Sequence, residues 1–430
     1  MKIKIVLILL TATIAYHNCP AQRVKPTDVR IKKTNNKFKL LVNKKPYFIK
    51  GAVGQHYLEK LKEYGGNSIR TGSNKEVLDK AQALGLTALV NLPVRAQRNG
   101  MNYDDTAAVR RQHENVLDIV KKTKDHPAVI MWALGNELDF IQANVKERYN
   151  VKVWDAVNAL ANEIHRIDPR HPVMTVVGSI DEEKIKDLLT RAPALDLLGI
   201  NEYGDLLQIP EWLRKFGWKK PYAVTEWGPT GFWQVPKTPW KVPIEETSSM
   251  KAEKYKERYE KTIAADKAMC LGSYVFLWRQ HQERTHTWFG MFDENGLETE
   301  AVDVMHYVWT GKWPANRVPR VDSMKINDLN AYQGVYLQPQ SQYTAQVWVR
   351  DPENDPVEYK WEVLEEGTNF PYGGSGEKRP PAVATQMESN TAGGIRFRSP
   401  GKEGAYRLFV YVYDGKGNLA TANIPFYVRP

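Results

Sequence analysis

AVIMWALGNELDF, residues 128–140, decides how the rest of the chain is read. From Ala128 to Leu134 the run is apolar without a break. A short run of that kind forms a strand covered on both faces, as in a parallel sheet packed between helices. The run then ends in Gly135, Asn136 and Glu137, with Asp139 and Phe140 following. A buried strand that finishes in an amide and a carboxyl brings polar chemistry to one end of a sheet.

Seven more runs share this character: PYFIKGAV (46–53), NSIRT (67–71), TALVNLPV (87–94), VMTVVGS (173–179), LDLLGINEY (195–203), YAVTEWG (222–228) and GSYVFLW (272–278). Segments of helical periodicity separate them, among them NKEVLDKAQALG (74–85), VKVWDAVNALANEIHRIDP (151–169) and TEAVDVMHYVWTG (299–311). Eight such strand–helix units in roughly 250 residues predict an α/β fold, the (β/α)8 or TIM barrel, over residues 47–314. A doubly wound open sheet is the alternative; it usually needs fewer strands and binds its ligand at a switch point. Ahead of the barrel, residues 23–46 carry the turn signals Asn35-Asn36 and Asn43-Lys44 and read as a hairpin capping its floor. After about Ala315 the helical period stops. SQYTAQVWVRD, VEYKWEVLEE, GIRFRSP, AYRLFVYVYD and TANIPFYVRP are strand-like, separated by Pro, Gly, Asn and Asp. Residues 315–430 are therefore expected to form an immunoglobulin-like β-sandwich. In AYRLFVYVYD, Tyr406, Leu408, Val410 and Val412 alternate with the other residues as a strand with one core face would, and DPENDP (351–356) reads as a turn, with a weak calcium loop as the lesser alternative.

The first 22 residues combine Lys2 and Lys4 with an apolar stretch and small residues near Ala21, the pattern of a signal peptide. The mature chain is expected to be exported, periplasmic or extracellular; a lipid anchor on Cys19 is the rival reading. No other segment has the length and apolarity of a membrane span. With two cysteines, Cys19 and Cys270, no disulfide framework is expected, and Cys270 lies in an apolar setting. The net charge of +10 is spread among mixed charges without a basic stripe, so no nucleic-acid partner is read. Aromatic residues make up 11% of the chain and include 13 Trp, enough to put some rings on a binding surface.

In a parallel barrel the C-terminal strand ends gather around one mouth. Glu137 and Asn136 end the fourth run, Asn201, Glu202 and Tyr203 the sixth, Glu226 the seventh, Arg70 the second and Trp278 the eighth. Two carboxyls facing one cleft can hydrolyse an acetal, one giving a proton to the leaving oxygen and the other attacking the anomeric carbon. Arg70 and Tyr203 are placed to keep Glu226 anionic. Asn136 is placed to donate to the sugar hydroxyl beside the reacting carbon, and Trp278 to offer a floor for the ring. Pleat alternation aims Glu202 into the wall. In the following loops Phe232, Trp233 and Trp240 either stack on a sugar or fill the gap under a long loop, and His281, His286 and Trp288 are candidates for hydrogen bonds to hydroxyls. The two histidines are five apart, a poor spacing for metal ligands on one helix face. No metal and no cofactor are expected.

WALGNE and TEWG resemble the paired signatures of clan A glycoside hydrolases, especially the barrel of glycoside hydrolase family 2. KKPYFIKGAV, GGNSIRT, GINEY and FLW are similar to the first, second, sixth and eighth barrel strands of that family, so the resemblance spans about residues 40–313. It implies that Glu137 is the acid/base and Glu226 the nucleophile of a retaining β-glycosidase, with an oligo- or polysaccharide as partner. Gln55 before His56 departs from the family's first-strand pattern, and a hairpin stands directly ahead of the barrel where family 2 members carry a jelly roll and a sandwich. A barrel with a trailing sandwich is also similar to stand-alone clan A β-glucanases and glucanosyltransferases. Transglycosylation by the same two glutamates, a non-catalytic glycan-binding protein and a scaffold using the sandwich for protein contacts remain alternatives.

Overall fold

Left-handed backbone at Asn35, Asn36, Asn43 and Lys44, with φ between 49° and 67°, makes two tight turns near the start of the chain. They join β1 (Val29–Thr34), β2 (Lys37–Val42) and β3 (Lys45–Tyr47) into an antiparallel sheet. The structure is a computed structural model that describes residues 26–141, 148–368, 370, 376–389 and 392–430. The expected signal peptide and Cys19 lie outside the described residues.

The eight apolar runs form β4 (Ile49–Val53), β5 (Ser68–Thr71), β6 (Thr87–Leu92), β7 (Val129–Leu134), β8 (Val173–Gly178), β9 (Leu197–Asn201), β10 (Tyr222–Glu226) and β11 (Cys270–Val275). All pair in parallel and close into a barrel, β11 returning to β4. Every residue of β7 is buried, because its inner face fills the barrel and its outer face meets helices. Val29 and Leu40 of the small sheet pack with Leu89, Ile130 and Leu271 from inside the barrel. Bonds from Val29 N to Arg170 O and from Phe38 N to Ala268 O, at 3.2 and 2.9 Å, hold that sheet at the end where the strands begin. The strand C-termini lie at the other end.

Helices α1 (Leu58–Glu63), α2 (Lys75–Ala83), α3 (Thr106–Thr123), α4 (Lys152–Ile167), α5 (Glu182–Arg191), α6 (Ile209–Lys215), α7 (Ser248–Arg258) and α8 (Glu300–Thr310) lie between or after the strands. Side chains fix several of their starts: Asn74, Asp105, Asp181 and Thr247 each accept backbone N–H groups of a first turn. In α4, Val153, Trp154, Val157, Leu160, Ala161 and Ile164 recur at helical spacing and are buried. Among the described residues no helix is long and apolar enough to cross a membrane.

The chain ends in two four-stranded sheets. One contains β12 (Arg320–Ile326), β14 (Gln342–Arg350), β16 (Met387–Ser389) and β17 (Gly394–Arg398); the other contains β13 (Val335–Leu337), β15 (Glu358–Glu365), β18 (Gly404–Tyr413) and β19 (Leu419–Val428). Val347 and Phe397 of the first share a core with Leu408, Val410 and Phe426 of the second. The expectation of one core face on β18 is corrected here. Arg407, Phe409 and Tyr411 on its other face are also buried, because barrel loops cover them. Arg407 donates to Glu366 at 2.7 Å, Asn423 at 2.6 Å and the Pro243 carbonyl at 2.9 Å. The trailing sheets are thus packed directly onto the barrel.

Candidate active site

The end of β7 turns by way of unusual backbone. Gly135 has φ 74°, and a Cβ there would lie 2.7 Å from Leu138 and 2.9 Å from the Val94 carbonyl, so only glycine fits. Glu137 is left-handed as well, with φ 48°, a strained choice for a non-glycine residue that clusters at functional positions. Its N–H still donates to Val176 O at 2.8 Å, which continues the ladder to β8. Gly178 at the end of β8 leaves room for the carboxyl: a Cβ there would stand 3.2 Å from Glu137 Cδ. Arg98 braces the turn from outside, donating to the carbonyls of Asn136, Glu137 and Phe140 with its guanidinium over the Phe140 ring. Asp139 is buried and ion-paired with Lys184 at 2.6 Å, and Lys184 also donates to the Gly178 and Ser179 carbonyls. Asp139 and Phe140 therefore hold the turn that aims Glu137.

Arg70 is the centre of the site. It is 2% exposed and donates in five directions. Nη1 reaches Glu226 Oε1 at 2.8 Å, Thr225 O at 3.0 Å and Asn201 Oδ1 at 3.3 Å. Nη2 reaches Asn136 Oδ1 at 2.6 Å and Nε reaches Asn91 Oδ1 at 3.2 Å. Asn201 bridges to the other carboxyl, its Nδ2 standing 2.8 Å from Glu137 Oε1 and 3.1 Å from Asn136 Oδ1. Thr225 donates to Asn201 Oδ1 at 2.9 Å and fixes that amide's orientation. Asn136 accepts twice through Oδ1, and its Nδ2 makes no bond among the described residues. Tyr203 completes the contacts of Glu226 with a weak bond to Oε2 at 3.4 Å. Glu137, Glu226, Arg70, Asn136, Asn201 and Tyr203 thus form one hydrogen-bonded group.

The two carboxyls differ electrostatically. Burial pushes Glu137 up to about 7, the charge of Glu226 adds to the rise, and the bond from Asn201 opposes it. Burial also pushes Glu226 up, but the charge and hydrogen bond of Arg70 and the Tyr203 hydroxyl pull it back down. A guanidinium at 2.8 Å favours Glu226 as the ionised member of the pair. Glu137 is then the member that keeps a proton near neutrality.

The remaining candidates separate. Trp233 is 52% exposed, edge-on to Tyr203 at 5.4 Å and to Phe232 at 4.9 Å. Gly231 lies under its indole, where a Cβ would come within 2.5 Å of the ring. His281 is buried with Nε2 3.0 Å from Glu283 Oε2, and its ring meets the edge of Phe276 at 5.9 Å. Trp278 is a correction: it is 1% exposed, donates to Tyr57 O at 3.1 Å and packs against Phe292 and Trp309. Its indole is taken up by Tyr57, Phe292 and Trp309 and not by the carboxyl pair. The partly buried ring next to Tyr203 is Phe276, at 6.1 Å. His286 is a second correction. It bonds Tyr411 Oη at 2.6 Å and stacks near Phe409 of the trailing sheet, in a setting where burial pushes its imidazole down to about 3. Trp288 is buried with its N–H on Thr230 O, and Trp240 packs on Tyr336 and Tyr427 of the trailing sheets. Glu202 lies in the wall, its Oε1 accepting the N–H groups of Tyr203 and Asp205.

Sequence reasoning missed Asn91, Phe276 and Glu283. Asn91 lies one residue before the end of β6 and was open to the same end-of-strand argument; the other two depend on how the loop after β11 folds. Away from the mouth, Asp351, Glu353 and Asp355 bring carboxylate oxygens within 4.8 Å of one another. Asp351 accepts the N–H groups of Glu353 and Asp355, and Lys416 lies 2.7 Å from Asp355, as a charged turn would have it. A cavity of about 60 Å³ between the loop after β11 and the trailing sheets is lined by His286, Arg379, Tyr411 and Tyr413 and is separate from the carboxyl pair.

Residues 74–232 match the family described as glycosyl hydrolases family 2, TIM barrel domain. The barrel resembles that of the family 2 glycosyl hydrolases. The matched residues include Asn136, Glu137, Asn201 and Glu226. Among curated relatives, a beta-glucuronidase of Paenibacillus borealis is 26% identical over 41% of this chain and 32% of its own length. A beta-galactosidase of Bacteroides ovatus is 24% identical over 67% of this chain and 36% of its own. Among solved structures, a beta-glucuronidase of Bacteroides uniformis shares the fold with a TM-score of 0.52 at 14% identity, over 94% of this chain and 48% of that one. The chain spans about a third of the length of these curated relatives.

Proposed function

We propose that the protein is a retaining β-glycoside hydrolase acting on a β-linked oligo- or polysaccharide, with Glu137 as acid/base and Glu226 as nucleophile. The observation that carries this reading is the shared network of Arg70 and Asn201, which joins the two carboxyls and ties Glu226 directly to a guanidinium. In the first step the Glu137 carboxyl gives its proton to the glycosidic oxygen. Glu226 attacks the anomeric carbon, the bond to the leaving oxygen breaks, and a glycosyl ester forms. Esterification removes the negative charge of Glu226, one of the causes that raise Glu137. Glu137, now ionised and more acidic, accepts a proton from a water that attacks the anomeric carbon and releases Glu226. Asn136 Nδ2 donates to the hydroxyl next to that carbon, and Trp233 stacks on a sugar ring.

We read residues 1–22 as an export signal, which places this activity outside the cytoplasm, and the trailing two-sheet unit as immunoglobulin-like. Proton NMR of the first-formed hemiacetal from an aryl β-glycoside tests the chemistry. The β-anomer is expected to appear first and then mutarotate; the α-anomer appearing first would mean inversion and would remove Glu226 as nucleophile.

A further inference from the structure

Beyond the residues matched by the family model, the loop after β11 carries a third acidic side chain toward the carboxyl pair. A continuous wall leads there from Glu226. Tyr203 touches Glu226, Phe276 lies against Tyr203, His281 against Phe276, and Glu283 bonds His281 at 3.0 Å. The charge of Glu283 is also felt at Glu226, where burial is the main upward push and Glu283 adds to it against Arg70 and Tyr203.

Glu283 is held in place rather than left to wander. Glu283 and Thr285 exchange backbone hydrogen bonds of 3.2 and 2.8 Å across Arg284, whose φ is 65°. Glu377, from the trailing β unit, accepts Gln282 Nε2 at 2.9 Å and Arg284 N at 3.1 Å, clamping the turn on both sides of Glu283. Thr285 is fixed in turn by Glu245 at 2.7 Å. Oε2 of Glu283 is committed to His281, while Oε1 has no hydrogen-bond partner among the described residues. A carboxylate can only accept hydrogen bonds, so the open oxygen fits a donor such as a sugar hydroxyl.

We propose that Glu283 is a specificity-determining residue of this site, accepting hydroxyls of a neutral sugar and disfavouring sugars that bear a carboxylate of their own. The proposal rests on the two-glutamate reading above. A uronate would bring a further negative charge into a poorly solvated site where the Arg70 guanidinium is already shared among Glu226, Asn136 and Asn91. Like charges set close together in such surroundings repel strongly, and that repulsion discriminates between partners. On this argument the chain departs from its relatives named beta-glucuronidase.

The test compares kcat/KM for the 4-nitrophenyl β-D-glucoside, β-D-galactoside and β-D-glucuronide. Thermal shifts with gluconolactone, galactonolactone and glucaro-1,4-lactone read the same preference without turnover and without a variant. The wild type is expected to favour the better neutral glycoside at least about 100-fold. Glu283→Gln should narrow that ratio at least tenfold with Tm nearly unchanged, and Glu283→Asp, which keeps the charge, should restore most of it. A wild type that prefers the glucuronide or is stabilised most by glucaro-1,4-lactone overturns the inference, as does a ratio unmoved by Glu283→Gln; the two-glutamate mechanism survives either. A chain that hydrolyses none of the three and is shifted by none of the lactones overturns the inference, while the two-glutamate reading stands or falls on the anomer test above.

Discussion

Arg70 Nη1 stands 2.8 Å from Glu226 Oε1, with 1% of the arginine side chain and 15% of the glutamate exposed. Breaking a buried pair by removing one partner commonly costs about 3–5 kcal/mol, because the other charge is left without compensation. Here Glu226 has a second outlet, since it can take up a proton. Arg70 lowers the proton affinity of Glu226, so its loss raises it. Arg70→Met is therefore expected to lower kcat/KM by two or more orders of magnitude and to move the acid limb of the pH–rate profile to higher pH. A full pH profile checks both effects; an unmoved acid limb would mean that Arg70 has no hold on the nucleophile.

Azide separates the two carboxyls. In Glu226→Ala the anion enters the space left by the nucleophile and attacks from the α face, giving an α-glycosyl azide. In Glu137→Ala the glycosyl ester forms from an activated donor and azide then attacks from the β face, giving a β-glycosyl azide. Both variants should lose several orders of magnitude in turnover, and Glu226→Ala, which leaves the buried Arg70 without its carboxylate, should also lower Tm. Product NMR with each variant assigns the roles, and exchanged anomers would exchange the residues.

Much of this arrangement was open to sequence reasoning, and the part that was not has a common cause. Unbroken apolar runs such as Val129–Leu134 mark strands buried on both faces, and the last residues of such strands must meet at the mouth. Glu137, Asn136, Asn201, Glu226 and Arg70 follow from that rule alone. Trp278 does not join them, because its indole bonds the Tyr57 carbonyl and packs against Phe292 and Trp309. Glu283 and His286 were beyond reach for another reason. Their positions are set by Glu377 and Tyr411, 93 and 125 residues away along the chain in the contacts that hold this loop, and no local pattern reports such packing.

The raised proton affinity of Glu137 has a consequence for stability. Its folded value of about 7 lies above the ordinary 4.5, so below pH 4.5 the group is protonated folded or unfolded and costs nothing. As pH rises, the unfolded chain ionises first, and stability is lost until the folded carboxyl also ionises near pH 7. Glu137→Gln should therefore unfold like the wild type near pH 4 and be the more stable protein above pH 7, by on the order of 1–3 kcal/mol. Tm of both proteins from pH 4 to 8 checks the sign. A difference that stays constant over that range would mean that the proton affinity of Glu137 is not raised by folding.

Trp233 offers the largest exposed aromatic face beside the carboxyl pair, at 52% exposure, with one edge on Tyr203. A ring that is half in water contributes little to the core, so Trp233→Ala should shift Tm by only a few degrees. The same exposure makes it available to a sugar. Losing one stacking contact costs on the order of 1 kcal/mol, or roughly fivefold in affinity. KM for an oligosaccharide should rise by about that factor or more, while kcat changes less, because stacking holds substrate and transition state alike. A kcat that falls as far as KM rises would point instead to a disturbed Tyr203, and through it Glu226. Tyr203→Phe, which keeps the ring and removes the 3.4 Å bond to Glu226, separates the two cases.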